Sequence, residues 1–471
     1  MKSDKNEIAL RRKFSDVLGS CLQKSSANQA LSLAVAYSGG LDSSVLLSLA
    51  HAYSRQHQIP LYAFHVHHGL SPNADDWLTH CEARCGELGI AFHAIRVNVD
   101  LTSGLGLEAG ARKERYAALG QLCITHRVSH LMTAHHQDDQ AETILMQMLR
   151  GSGLAGLSGM DLSNVAPGLL GDPALLIVRP LLEASREELE QFQRLHALAF
   201  VEDESNADVR YRRNALRHRV MPVLEEIYPG FAARMSRGAR HVSAARDLIE
   251  EMAASDLMHC TQDGQLLVPR LVALGESRAA HVFRHWLSQQ GVRLPSTARL
   301  QEMFKQLFYA KTDARIEIHC GEHVLHRYRA AVYLRQVEGS LSGLDEVSFT
   351  WKGESCLAFP AYGGVLHFKA AEQGIASEWL SQQPLALHLR RGGERMKLAI
   401  DRPTRDMKSH FQSLNIPFWV RSELPFVSAG ADLVYAAQVG MNAKFFDQSS
   451  TAKISLHWVF DESGKNVWNN N

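Results

Sequence analysis

Ser38-Gly39-Gly40-Leu41-Asp42-Ser43 separates two apolar stretches of different length and pattern. Before it, Leu31-Ser32-Leu33-Ala34-Val35-Ala36-Tyr37 predicts a short buried strand. After it, Val45-Leu46-Leu47-Ser48-Leu49-Ala50-His51-Ala52 predicts a helix packed on a sheet. A strand, a Gly-Gly turn and a helix start make an anion site. Two glycines let the backbone approach a ligand closely, and the unpaired N–H groups of the helix start point at it. Ser38, Ser43 and Ser44 add hydroxyl donors. The loop lacks the lysine of the G-x-x-x-x-G-K-[ST] mononucleotide loop and carries an acid, Asp42, instead. An acid beside phosphate calls for a cation between them, so Asp42 points to Mg²⁺.

The hexapeptide resembles the pyrophosphate loop of the N-type ATP pyrophosphatases, which cleave ATP to AMP and pyrophosphate while adenylating a substrate oxygen. Outward from it, strands at 61–67, 91–97, 130–134 and 175–180 alternate with helices at 43–55, 74–88, 108–126, 138–150 and 186–198, behind a leading helix at 7–27. The helix at 186–198 opens on a capping box, Ser185-Arg186-Glu187-Glu188. Such alternation predicts an α/β fold with a doubly wound parallel sheet, whose ligands bind beyond the carboxyl ends of the strands.

Polar clusters fall at those ends. One is His65-Val66-His67-His68-Gly69; another is Thr133-Ala134-His135-His136-Gln137-Asp138-Asp139-Gln140-Ala141-Glu142-Thr143. Asp138, Asp139 and Glu142 share the start of one helix and suit Mg²⁺ or an ammonium group. Strand-end histidines are often only hydrogen-bonded, and a zinc site would want H-x-x-x-H spacing or cysteine partners. On the helix before this strand, Arg112 and Arg115 are expected to take a carboxylate or phosphate.

The ordered set becomes specific when read together. Ser38–Ser43, His67-His68-Gly69, Ala111-Arg112-x-x-Arg115-Tyr116 and Ala134–Thr143 are followed by Arg150-Gly151, Arg179-Pro180-Leu181 and Asp203-Glu204-Ser205-Asn206. This series resembles the tRNA(Ile)-lysidine synthetase family. The resemblance implies ligation of L-lysine to C2 of the wobble cytidine of an isoleucine tRNA with a CAU anticodon, through an adenylated cytidine. ATP is the co-substrate, and AMP and pyrophosphate leave. It implies nucleotide binding by Ser38, Gly39, Gly40, Leu41, Asp42, Ser43 and Ser44. Mg²⁺ is expected on Asp42 and Asp139, phosphate-charge stabilisation from Arg213 and Arg217, and substrate contacts from Arg112, Arg115, Asp138 and Glu142. The rival on the same fold is tRNA cytidine 2-thiolation, which usually needs paired cysteines; the chain has no C-x-x-C. Amide-forming nucleotide synthetases are a second rival, and a non-catalytic RNA-binding protein a third.

From Arg210 to Arg246 stand nine arginines, no lysine and two glutamates, +7 in a chain of net charge zero. Arg234, Arg237 and Arg240 recur along one helical face, which predicts a nucleic-acid footprint. A mainly helical middle domain is expected, with helices at 231–252, 278–290 and 298–308, and a hairpin at 315–335. A β-rich connection over 338–385 then leads to a small α+β C-terminal domain, about 385–460. There Arg390-Arg391-Gly392-Gly393, Lys408 and Ile416-Pro417-x-x-x-Arg421 resemble the family's acceptor-stem-gripping module. The predicted division is 1–222, 223–337 and 338–471, ending in a polar tail from Glu462. With 45% apolar and 21% charged residues, seven scattered cysteines and no long apolar run, the expectation is a cytoplasmic protein away from membranes, with a homodimer left open.

Overall fold

The structure, a computed structural model, describes residues 2–23, 31–69, 71–98, 107–292, 294, 296–310, 314–336, 344–450 and 452–461; the tail expected from Glu462 lies outside them. It divides into two compact units, Met1–Glu251 and Met252–Asn471.

The first unit runs α1 (Lys2–Gln23), β1 (Leu33–Ala36), α2 (Leu41–His57), β2 (Leu61–His67), α3 (Ala74–Leu88), β3 (Ala91–Arg96), α4 (Leu107–Thr125), β4 (His130–Met132), α5 (Gln137–Leu149), α6 (Leu154–Leu157), β5 (Ser163–Val165), α7 (Pro167–Leu170), β6 (Leu176–Val178) and α8 (Arg186–Leu195). The sheet order is β3-β2-β1-β4-β6-β5. β3, β2, β1, β4 and β6 are parallel, and β5 alone runs antiparallel. Leu33, Ala34 and Val35 are fully buried because helices cover both faces of β1. Leu46, Leu47 and Leu49 of α2 pack on one side, with Phe14 of α1 and Phe192 of α8. Tyr116, Leu119 and Cys123 of α4 pack on the other, with Phe64. The strand order reverses between β1 and β4, so the loops after these neighbours open one crevice.

The doubly wound sheet expected from the sequence is present. β5 and the two single-turn helices beside it were not anticipated: Ser163-Asn164-Val165 has no alternating apolar signal, and it is held by pairing to β6. After α8 the chain makes a short α turn (Arg212–Ala215), a π turn (Leu216–Val220) and a helix (Met221–Ile227). A long helix, Phe231–Cys260, follows, eight residues beyond its predicted end.

In the second unit a five-stranded antiparallel sheet has the order Thr261–Gln262, Gln265–Leu267, Ala331–Gln336, His323–Tyr328, Ile316–Cys320. Helices Glu276–Gln289 and Thr297–Tyr309 pack on it through Phe283, Leu287, Met303 and Leu307. The predicted hairpin therefore has a third, central strand, His323–Tyr328, hidden from pattern reading by its histidines and arginine. The stretch expected as a connection also contributes paired strands. Val347–Phe349 pairs with Leu385–His388, and Gly364–Ala376 pairs with Lys453–Phe460. No helix among the described residues is long and apolar enough to cross a membrane. All seven cysteines are free, and Cys81 and Cys85 are fully buried packing residues.

Candidate active site at the carboxyl mouth of the parallel sheet

The loop after β1 turns sharply at Gly39, whose φ is +84°. A side chain there would also collide, since a Cβ would lie 2.9 Å from Cys81 Sγ and 3.0 Å from a Val201 methyl. Gly39 thus meets both needs for glycine, left-handed backbone and close approach. The Gly39 carbonyl accepts the Val201 N–H at 3.0 Å, tying the loop to the segment after α8. Gly40 caps α2, leaving the amides of Leu41, Asp42 and Ser43 without intrahelical acceptors. Ser38 and Ser43 hydroxyls lie 3.2 Å apart, and the hydroxyls of Ser43 and Ser44 donate to the Gly40 and Gly39 carbonyls at 2.9 and 3.3 Å. The unpaired amides thereby form a donor set at a helix start, suited to polyphosphate, and the serine hydroxyls brace the loop that carries them.

The loop after β4 brings acids beside that cradle. His136 caps α5: its ring accepts the Asp138 N–H at 3.3 Å while Asp139 accepts the His136 N–H at 3.1 Å. His136 Nε2 sits 3.4 Å from Asp139 and 3.8 Å from Asp42. Arg213 and Arg217, four residues apart across the α-to-π turn, reach back onto α5. Arg213 meets Glu142 at 2.7 Å and Asp139 at 2.9 Å; Arg217 meets them at 2.6 and 3.1 Å. Arg186, at the first position of α8, donates to both Asp42 oxygens at 2.6 and 2.8 Å.

Four carboxylates (Asp42, Asp138, Asp139, Glu142) therefore face Arg186, Arg213, Arg217 and His136. The surrounding acids favour the charged form of His136, in which the ring would give up its cap bond from the Asp138 N–H. Burial pushes the pKa of His136 down, but Asp139, Asp138 and Asp42 outweigh that and raise it. Burial pushes Asp139 upward, but His136, Arg213 and His135 hold it well below the usual carboxylate range. Burial raises Asp42 against the pull of His136 and Arg186. With both oxygens in guanidinium reach, Asp42 still stands as the carboxylate at neutral pH. Glu142 differs from the other three acids. Its side chain is 1% exposed and both oxygens are taken by arginines, so the structure gives it a wall position rather than an open one.

Among the described residues no cluster of three or more histidine, cysteine or acidic side chains forms a ready metal cage. Two hard carboxylates beside a phosphate cradle nonetheless fit Mg²⁺, which commonly takes one or two carboxylates and completes its shell with phosphate and water.

Three family profiles match the chain in order. One described as PP-loop domain covers residues 9–224, a TilS substrate binding domain covers 266–333, and a TilS substrate C-terminal domain covers 385–458. The tRNA(Ile)-lysidine synthase of Alkalilimnicola ehrlichii is 39% identical over 430 residues, spanning 91% of this chain and 93% of its own length. That of Ralstonia nicotianae is 38% identical over 421 residues, 87% and 88% of the two chains. That of Salmonella choleraesuis is 36% identical over 417 residues, 86% and 91%. This chain belongs to the tRNA(Ile)-lysidine synthase family.

The remaining predicted arginines of this lysidine synthase family member form no ion pair with the four acids among the described residues. Arg112 and Arg115 of α4 lie 4.9 and 5.6 Å from the Tyr116 ring centroid. Arg112 is exposed. Among the described residues neither has an acid within ion-pair reach, and burial lowers the pKa of Arg115. Arg234 and Arg237 are exposed on the long helix, while their neighbour Arg240 pairs with Glu183 at 2.7 Å. In the second unit Arg390 and Arg421 lie 5.5 and 5.6 Å from the Phe411 ring centroid, and Arg391 pairs with Glu346. Gly392 and Gly393 both have positive φ, and Glu394 accepts the amides of Arg391 and Gly392 around that turn. Sequence reading missed Arg186 and His136. The first showed only as a cap-adjacent charge on α8; the second was within a quoted motif but given no role.

Proposed function

We propose that this protein forms lysidine, joining L-lysine to C2 of the wobble cytidine in a CAU-anticodon isoleucine tRNA at the expense of ATP. The observation that carries the proposal is the pairing of the Gly39–Ser44 amide cradle with the Asp42–Asp139 acid pair across His136. The names of the relatives favour this over cytidine 2-thiolation, and the absence of C-x-x-C agrees.

In this reading the C2 oxygen of cytosine attacks the α-phosphorus of ATP, the bond to the β-phosphate bridging oxygen breaks, and pyrophosphate leaves. Amides of Ser38–Ser44 hold the departing β,γ unit. Asp42 and Asp139 would hold Mg²⁺, which when bound offsets charge at the α-phosphate. Arg213 and Arg217, fixed by Glu142, present guanidinium edges to negative charge as it builds. The lysine ε-amine, with an unperturbed pKa near 10.4, must shed a proton before it attacks C2. Asp138, 32% exposed, is the acid best placed to meet that ammonium group. AMP then leaves as the C2–O bond breaks. Arg112 and Arg115 are assigned to a substrate carboxylate or phosphate, and Arg234, Arg237, Arg390 and Arg391 to tRNA phosphates. The divisions 1–222, 223–337 and 338–471 are proposed as the catalytic, substrate-binding and acceptor-stem parts.

The test is incubation of pure protein with ATP, radiolabelled lysine and isoleucine tRNA carrying CAU. Lysine label in tRNA, with AMP formed in equal amount, is expected. Asp42→Ala and Asp139→Ala should each lower AMP formation by about 10³-fold, the scale of a lost preorganised electrostatic group. Full turnover in either variant removes that residue from the mechanism.

A further inference from the structure

Arg186 is held by three acids at once. Its guanidinium takes both oxygens of Asp42 at 2.6 and 2.8 Å, its Nε meets Glu190 at 3.0 Å, and its backbone N–H donates to Asp138 at 3.0 Å. The backbone beneath it is fixed. Ser185 and Glu188 close a capping box, Lys13 of α1 grips Glu188 at 2.7 Å, and Leu189 and Phe192 are buried in the core. The side chain is held only by these ion pairs, for it is 40% exposed and not packed into the core. The lone pairs it occupies on Asp42 are the ones a divalent cation would need. A carboxylate beside Asp139 in a confined site cannot stand long without a counter-charge.

We propose that Arg186 is a placeholder cation and a phosphate-binding residue in turn. Without nucleotide it neutralises Asp42. When ATP arrives with its metal, Asp42 passes to the metal, and the released guanidinium turns onto the polyphosphate while Glu190 steadies its Nε. No bond is made or broken in the exchange; one cation replaces another on the same carboxylate, and Nη1, which now spans both Asp42 oxygens, moves from carboxylate to phosphate. The inference rests on the reading of Asp42 as the metal-and-nucleotide corner.

Mn²⁺, followed by the electron-spin-resonance signal of the free ion, is the probe, titrated into intact protein without nucleotide and then with ATP. Arg186→Gln should bind Mn²⁺ alone about fivefold more tightly than wild type, the loss of a partly exposed competitor. The same variant should bind ATP more weakly, by about tenfold for one charge-assisted contact. Arg186→Lys should recover part of the ATP affinity. Circular dichroism checks that each variant is folded. Unchanged Mn²⁺ affinity in Arg186→Gln overturns the placeholder role, and unchanged ATP affinity overturns the phosphate role. Asp42→Ala separates this from failure of the underlying reading: if it binds Mn²⁺ and ATP as wild type does, the corner itself is misassigned.

Discussion

The mouth of the parallel sheet and the joint around Trp419 both bury polar side chains, and they do so by opposite means. At the mouth the charges are kept and paired, Asp42, Asp139 and Glu142 with Arg186, Arg213 and Arg217. At the joint, within the second unit, charge is refused. His326 is 4% exposed, stacks on Trp419 at 4.3 Å and 15°, and meets the edge of Phe418 at 5.7 Å. Burial lowers its pKa to about 4, so the ring is neutral at physiological pH. A matched set of charges can trade partners when a ligand brings its own. A neutral stacked ring has nothing to trade and serves to hold the strand His323–Tyr328 against the short helix Phe418–Arg421. The first arrangement suits a site, the second a scaffold.

The largest effect is expected where the matched set cannot be repaired. Glu142→Ala removes the wall acid from two arginines and should lower stability by about 3 kcal/mol, the low end for breaking a buried pair because both arginines keep partial exposure. Urea unfolding measures it, and AMP formation should fall with it, since Arg213 and Arg217 lose their anchor. A variant as stable as wild type would mean Asp139 alone suffices to hold both arginines.

At the joint the expected signature is pH dependence. Because folding depresses the pKa of His326 from 6.5 to about 4, its neutral ring adds stability fully above about pH 6.5. That contribution declines as pH falls from 6.5 toward 4, as the unfolded chain takes up the proton first. The difference amounts to about 2–3 kcal/mol by pH 4.5. His326→Phe should remove this slope; urea midpoints at pH 7.5 and 4.5 for both proteins test it. Equal slopes would show that the ring protonates in place, and the contrast with the mouth would collapse.

The smallest effect sharpens the point that burial, rather than the count of ion pairs, decides. Arg240 and Glu183 form a good pair at 2.7 Å, but they are 59% and 38% exposed. Arg240→Ala should change stability by less than about 0.5 kcal/mol. If the long helix is a tRNA footprint, the same variant should reduce the salt slope of tRNA binding by about one.

The strand–helix alternation was legible because parallel strands buried on both faces leave continuous apolar runs. β2 at 61–67 and α3 at 74–88 fall where the pattern predicts them. The strands that escaped are those held by partners rather than by their own pattern. Val347–Phe349 exists through Leu385–Leu387, and His323–Tyr328 through the strands on either side. The members of the mouth were largely visible in the motifs, whereas their pairings were not. Nothing in local sequence tells that Arg186 meets Asp42 across 144 positions, or that both oxygens of Glu142 face arginines from a later segment. Those facts come from the tertiary fold, which brings the starts of α2 and α8 together.

The tight contact between Gly39 and Cys81 has a consequence for how this enzyme can change. The proposed phosphate cradle takes its curvature partly from α3 and from the segment at Val201, both pressed against the same α-carbon. A bulkier residue at Cys81 would bend the cradle without touching a single one of its amides. Altered nucleotide preference in a descendant of this chain should therefore be sought first behind the loop, in the residues that mould it from the rear.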